Sequence, residues 1–367
     1  MKILEVLYNL TPGGAERFAV DLSNELSKTN DVTLMTIRDD SINPEMSLFY
    51  KSELSRHVTY KNFDLLKGFS LKKAWNVYKA IKKQKSDIVH IHGIGMPRYC
   101  IFALYLMNHK YKFYQTIHSD IHNGYNTSFY KILFKTLGYS HRMGFISISD
   151  THYKGMMQLY PKTKGTCIVN GRAQIYPSAD YDIVKTEMSS YKHQETSMLF
   201  LHIARCSPVK NQTMLIEAFN KFIEKGYNAD LVIIGPNFDS DLGQTIQNKA
   251  CKRIHIIGPR KNVGDYMLNA DVFCLSSNFE GMPITLIEAV MAGLPIVSTP
   301  VCGAVDIVHD KKNGVLSKNH TIISYLDALE YIYAHHKEIK ECSMRMKCNN
   351  QYSIENCTKK YIDFFNV

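Results

Sequence analysis

Residues 279–294 read FEGMPITLIEAVMAGL. The run before them, Val272–Leu275 (VFCL), is short, apolar and strand-like, and the run after them, Ile296–Ser298, is another. Between the two, a loop carries Glu280 and Gly281, and Pro283 suits the first turn of a helix, where its missing N–H is not needed. The helix runs from Ile284 and contains Glu288. Strand, loop, helix and strand in this order make one unit of a parallel α/β sheet. The loop amides and helix N-terminus form a partly positive pocket, suited to a phosphate or a sugar hydroxyl. Glu280 lies at its mouth. Glu288, just over one turn in, is placed to accept hydrogen bonds from a ribose diol. The same two carboxylates would also serve simply to complement the helix dipole.

Outward from this stretch the alternation continues. Strand-like runs recur at Ile3–Tyr8, Val32–Ile37, Ile88–His92, Phe113–Ile117, Gly144–Ile148 and Cys167–Val169, with helices at Ala15–Ser27 and around Tyr99–Met107. A polar stretch at Arg172–Thr196, holding Pro177, breaks the pattern and reads as a linker with a short helix. Strands then return at Met198–Ile203, Asp230–Ile234 and Ile254–Ile257, with a helix at Asn211–Lys225. Two doubly wound halves follow: 1–175 and 176–351, with a C-terminal helix over about 352–367 packing back on the first. Open parallel sheets bind ligands outside the carboxyl ends of their strands, which directs attention to the strand-end loops.

Composition sets the bounds. The chain has 367 residues, 45% hydrophobic and 21% charged, so a packed core is expected. The N-terminal run MKILEVLY is too short and too charged for a signal peptide. Its longest apolar run, Cys100–Met107, is far below the ~20 residues of a membrane span. Nine scattered cysteines without a C-x-x-C pair point to reduced thiols in a cytoplasmic protein, with peripheral binding at the inner face of the plasma membrane open. The net charge of +10 resides in the first half, where 24 Lys and Arg oppose 13 Asp and Glu in residues 1–175. Such a half suits an anionic partner, whether membrane lipid, nucleic acid or a phosphorylated acceptor, or serves solubility alone.

Four more strand-end elements carry candidate chemistry. Arg205 and Lys210, in RCSPVKN after Met198–Ile203, can grip a diphosphate with a fork and a point charge. Gly13 and Gly14 open the first helix and let backbone approach a phosphate, although they do not form G-x-G-x-x-G, which disfavours a dehydrogenase. His118 follows the strand Phe113–Ile117. His90 and His92 end Ile88–His92, where packing is the competing role.

These residues resemble glycosyltransferase family 4, the retaining enzymes of GT-B fold. EGMPITLIE is similar to the family's E-x7-E motif, flanked by ADVFCLSS and AVMAGLPIVST. RCSPVKN resembles its G-R-x-x-x-x-K-N element with Ala204 in place of glycine, and GGAE resembles its first-loop motif. Ser147, Ser149 and Asn170-Gly171 match weaker landmarks. GPN after Leu231–Ile234 and Asp306 in CGAVD depart from the pattern, at positions bearing on donor fine-specificity. The resemblance is strong over 198–316 and weak over 38–85 and 173–197.

The resemblance implies two Rossmann-like doubly wound domains facing a cleft. Glu280 and His118 are then catalytic, oriented on the transferred sugar. Gly13, Gly14, Arg205, Lys210, Gly281, Met282, Ile284, Thr285 and Glu288 hold the donor, with Glu288 on the ribose. Glu16 and His92 lie on the acceptor side. Arg205 and Lys210 take the place of a metal, so no cofactor is expected beyond a nucleoside-diphosphate sugar, with UDP preferred. The implied reaction is retaining transfer of a hexose to a glycan or polyprenyl-diphosphate-linked acceptor in bacterial surface polysaccharide synthesis, with no nucleic-acid partner. A sugar-nucleotide epimerase or hydrolase, or a non-catalytic carbohydrate-binding subunit, are the alternatives.

Two D-x-D triplets, Asp180–Asp182 and Asp239–Asp241, lack the strand-end setting of a metal site. The basic run Leu71–Lys85 has apolar residues at 71, 74, 75, 78 and 81 and the chain's single tryptophan, Trp75. It reads as a surface helix, packed on the sheet or lying on an anionic membrane.

Overall fold

The structure is a computed structural model and describes residues 1–38, 40–41, 43–65, 68–93, 95–107, 112–118, 128–347 and 350–366. Its chain divides into two compact units, Met1–Ala173 with Gln351–Val367, and Gln174–Asn350.

The first unit is built on β1 (Lys2–Leu7), β2 (Asp31–Arg38), β3 (Val58–Leu65), β4 (Ile88–His92), β5 (Lys112–Ile117), β6 (Gly144–Ser147) and β7 (Gly165–Cys167). Among the described residues they form a 7-stranded parallel sheet in the order β3-β2-β1-β4-β5-β6-β7. The order reverses at β1, whose neighbours are β2 and β4. Ligands of doubly wound sheets bind at such a switch point. β1, β4 and β5 are almost entirely buried, as expected for strands covered by helices on both faces.

The second unit repeats the plan with β8 (Met198–Ile203), β9 (Ala229–Ile234), β10 (Ile254–Ile257), β11 (Val272–Leu275), β12 (Ile296–Ser298) and β13 (Gly314–Leu316). Their order is β10-β9-β8-β11-β12-β13, reversing at β8. Each sheet therefore has its switch point on its own first strand.

The segment after β7 is stitched to the C-terminal return. Arg172 N–H donates to Tyr352 O at 2.8 Å, and Ile354 N–H donates to Arg172 O at 3.1 Å. A Cβ at Gly171 would lie 2.6 Å from Ser353 O, so glycine permits this close pass. The Arg172 guanidinium meets Asp21, on the helix Gly14–Leu26, at 2.8 Å in a buried ion pair. The C-terminal helix Ile354–Asn366 carries Tyr361 and Phe365 into the first unit's interior.

Some elements differ from the sequence reading. β3 escaped it because its residues VTYKNFDL are half exposed at the sheet edge and lack an apolar run. The apolar helix expected around Tyr99–Met107 is broken at Cys100 into Met96–Tyr99 and Ile101–Leu106. In the helix Leu71–Gln84 the buried face is Ala74, Val77, Ala80 and Ile81, while Leu71 and Trp75 turn outward.

Candidate active site

In the second unit, two strand-end loops interlock. Asn278 N–H donates to Val209 O at 2.7 Å, Ser276 Oγ to Lys210 O at 2.8 Å, and Asn278 Nδ2 to Pro208 O at 3.2 Å. Asn211 occupies the left-handed region at φ 51° and bonds the Asn278 side chain at 3.2 Å. These bonds hold the loop after β8 against the loop after β11, and they bring Lys210 Nζ to 2.5 Å from Glu280 Oε1. Ser277 Oγ donates to the same oxygen at 2.6 Å. Both partners retain some solvent exposure, 24% and 11% of their side chains, so a ligand can reach the pair. Arg205 is exposed on the same loop.

The helix Ile284–Ala292 starts beside this pair. Pro283 is its N-cap, not its first helical residue, and no side chain caps it. No acidic residue stands in its first turn. Its leading amides, at Ile284 and Thr285, precede the turn's internal bonds and are the natural donors to an anion. Gly281 and Met282 form the entry loop, pressed against Gly303, where a Cβ would lie 2.7 Å from Met282 Cα. Glu288, expected at the ribose, is 4% exposed in the helix's second turn. The GPN turn has a packing role: a Cβ at Gly235 would collide with Ala204 O.

In the first unit, Gly13 is the extended N-cap of the helix Gly14–Leu26. The Glu16 carboxylate folds back over Gly13.

His118 follows β5 and is partly exposed. Its Nε2 lies 2.9 Å from His92 Nδ1, and His92 Nε2 lies 2.6 Å from Glu5 Oε2. His92 was expected to contact the acceptor. It is instead 2% exposed, with both ring nitrogens engaged inside the protein. His90 Nδ1 sits 2.8 Å from the same Glu5 oxygen, off the line of a good hydrogen bond, and its Nε2 is 2.8 Å from Thr116 Oγ1. Thr116 Oγ1 is in turn 2.9 Å from Tyr361 Oη.

Period-two alternation explains the assembly. Glu5 is in register with His90, and His92 with Thr116, so 5, 90, 92, 116 and 118 share one face of three adjacent strands. Phe18 packs over them, its ring centroid 5.7 Å from that of His118 and 6.3 Å from that of His92. Burial alone would push the Glu5 carboxyl up, but the adjacent His90 imidazole and the hydrogen-bonded His92 outweigh it and hold the group at about 2. Burial, and then the neighbouring histidines, lower His92 and take His118 well below the ordinary imidazole value, so both rings stay neutral. Glu5 was not singled out from the sequence. A charged residue inside the apolar run ILEVL was its only local signal.

Glu5, His90 and His92 also place one ligand atom each within 4.8 Å of one another, the only such metal-capable group among the described residues. Both D-x-D triplets lie at helix starts with their aspartates exposed.

Two family models match the chain, Glycosyltransferase Family 4 over residues 12–171 and Glycosyl transferases group 1 over residues 184–350. An uncharacterized glycosyltransferase of Methanocaldococcus jannaschii is 26% identical over 62% of the chain and 59% of its own length. The Escherichia coli UDP-Gal:alpha-D-GlcNAc-diphosphoundecaprenol alpha-1,3-galactosyltransferase is 25% identical over 84% of this chain and 78% of its own. A capsular polysaccharide biosynthesis glycosyltransferase of Staphylococcus aureus, CapH, is 24% identical over 79% and 78%. Among solved structures, Anabaena HepE in complex with UDP and glucose superposes with a TM-score of 0.82 at 16% identity, covering 100% of this chain and 99% of that one. The chain belongs to the family 4, group 1 glycosyltransferases and is an enzyme of that class with the GT-B fold.

Proposed function

We propose that this glycosyltransferase transfers a hexose from a UDP-sugar, with retention, to a lipid-linked glycan in the synthesis of a bacterial surface polysaccharide. The observation that carries the donor half is the Lys210–Glu280 pair, held by interlocked loops beside a helix start without a side-chain cap. An acceptor-only carboxylate suits sugar hydroxyls, and an ammonium suits a diphosphate. A diphosphate at the first-turn amides would take Lys210 as counterion and release Glu280 to the sugar. Arg205, exposed on the same loop, adds a second cation, and Glu288 is assigned to the ribose. Leaving-group charge is then stabilised by Arg205, Lys210 and backbone amides without a metal ion. The family resemblance assigns no carboxylate the part of nucleophile, and on that reading the acceptor attacks from the face the diphosphate leaves. His118 is assigned a hydroxyl at the reacting centre, with Glu16 and the Gly13-Gly14 turn near donor phosphate or acceptor. The bound UDP of HepE and the lipid-linked substrate named for the E. coli relative support this choice of donor and acceptor.

The first unit's surface supports an acceptor presented at an anionic membrane. No described helix is long and apolar enough to cross one. Leu71, Trp75, Tyr105, Leu106 and Ile132 are exposed on helices that touch one another: Trp75 packs on Phe102 at 5.3 Å, and Tyr105 Oη reaches Thr136 at 3.4 Å. Lysines surround Leu71 and Trp75 on their helix. Exposed apolar side chains ringed by cations suit the lipid interface.

The test is a panel of sugar nucleotides scored by thermal stabilisation, repeated on Arg205→Ala. A UDP-sugar at about 100 times its Kd should stabilise by roughly 2.7 kcal/mol, and the variant should lose most of it. Stabilisation by no nucleotide would overturn the reading.

A further inference from the structure

The polar chain beneath His118 has a direction. Glu5 is ionised and only accepts hydrogen bonds. Its Oε2 is 2.6 Å from His92 Nε2, so that nitrogen carries the proton. Neutral His92 then has a lone pair on Nδ1, 2.9 Å from His118 Nε2, which must carry its own proton to make the bond. In neutral His118 the remaining nitrogen, Nδ1, is a bare acceptor, and it makes no hydrogen bond among the described residues. Phe18 closes one side of both rings and limits their rotation.

We infer that Glu5 and His92 are positioning residues that lock His118 as the Nε2–H tautomer, so that it meets substrate only as a hydrogen-bond acceptor. The inference rests on the assignment of His118 to a hydroxyl at the reacting centre. It carries a specificity rule: the group facing His118 must donate a proton, as a free sugar hydroxyl does. A fluorine or hydrogen in its place leaves the Nδ1 lone pair unmet. Neither Glu5 nor His92 touches substrate. They act as the carboxylate partner of a ligating histidine does, by fixing tautomer and ring angle.

Two readouts test this on the full chain. Long-range 15N–1H spectra of histidine-labelled protein, assigned with His118→Gln and His92→Gln, should show both rings neutral and protonated at Nε2. An Nδ1–H His118 would overturn the inference. So would a His92 that loses its Nε2 proton to a zinc ion bound with Glu5 and His90, reversed by EDTA. Kinetically, Glu5→Leu should lower kcat about 10–100-fold, the usual cost of losing such a partner, with the donor KM little changed. Glu5→Gln, whose amide oxygen still accepts from His92, should restore much of that loss. Full kcat in a folded Glu5→Leu would overturn the inference. Should Glu5→Leu not fold, deoxy- and fluoro-sugar nucleotides on the wild type decide the matter. At one ring position both analogues should lose turnover together, and a fluoro analogue as good as the parent at every position would refute the acceptor role. Wild-type activity in His118→Ala alongside the expected spectra would instead sink the catalytic assignment of His118 and leave the tautomer lock standing.

Discussion

The two sheets share one winding pattern yet keep their polar groups in different places. In the first unit the polar chain is buried in the sheet itself: Glu5, His90 and Thr116 are 0% exposed, and the chain ends in the C-terminal helix at Tyr361. In the second unit β8 and β11 are apolar apart from His202, whose Nδ1 bonds Cys274 O at 2.9 Å, and the charged pair stands on loops beyond the strand ends. The physical consequence is a division of risk. Buried hydrogen-bonded charges couple function to folding, because removing one partner strands the other in a low dielectric. Loop-mounted charges can be removed at little structural cost.

The sharpest way to break this comparison is at Lys210. Lys210→Ala should lower kcat by about 10²–10³-fold, as loss of one charge-stabilising donor does, while the melting temperature barely moves. A large loss of stability would mean that the second unit's charges are structural after all. Next in size, Arg172→Ala should destabilise the first unit by about 1–3 kcal/mol, since it leaves Asp21 buried with a weaker set of donors. Trp75, the chain's single tryptophan, lies in this unit, so urea unfolding followed by its fluorescence should show a lower midpoint at unchanged slope.

Acid should act on the first unit in two steps. Folded His92 and His118 resist protonation, whereas the unfolded chain takes protons near 6.5. The unfolded state thus binds more protons, and stability present above pH 6.5 falls as pH drops below it. Glu5, at about 2 against 4.5 unfolded, adds a further loss as pH falls from about 4.5 toward 2. Trp75 fluorescence measures both steps, and His92→Gln should flatten the first. The smallest effect concerns the surface. Leu71→Ala with Trp75→Ala should weaken co-sedimentation with phosphatidylglycerol vesicles several-fold at low salt, without changing donor binding.

Much of the second unit was legible because its chemistry is local. Arg205 to Asn211 and Phe279 to Glu288 are each one continuous loop at the end of an apolar run. The spacing of charge, glycine and proline within each predicts its own geometry. What brings the loops together is less local: Asn278 bonds the backbone of Val209 and Pro208, and Ser277 joins Lys210 on Glu280. The outward turn of Leu71 and Trp75 was also hidden, since periodicity counts apolar residues without saying which the sheet covers.

The amino-acid sequence alone determined the alternation of strands and helices, the two-unit plan and the charged strand-end loops of the second unit, because strand and helix periods and turn residues act over a few neighbours. Only the tertiary structure decided the partners of His118. Glu5 lies 87 positions from His92, and His92 lies 26 from His118. They meet because β1 inserts beside β4 and β4 beside β5, in a register that places one face of each strand together. Strand order is set by the packing of whole sheets and crossover helices. No local pattern around a lone glutamate in an apolar strand encodes it.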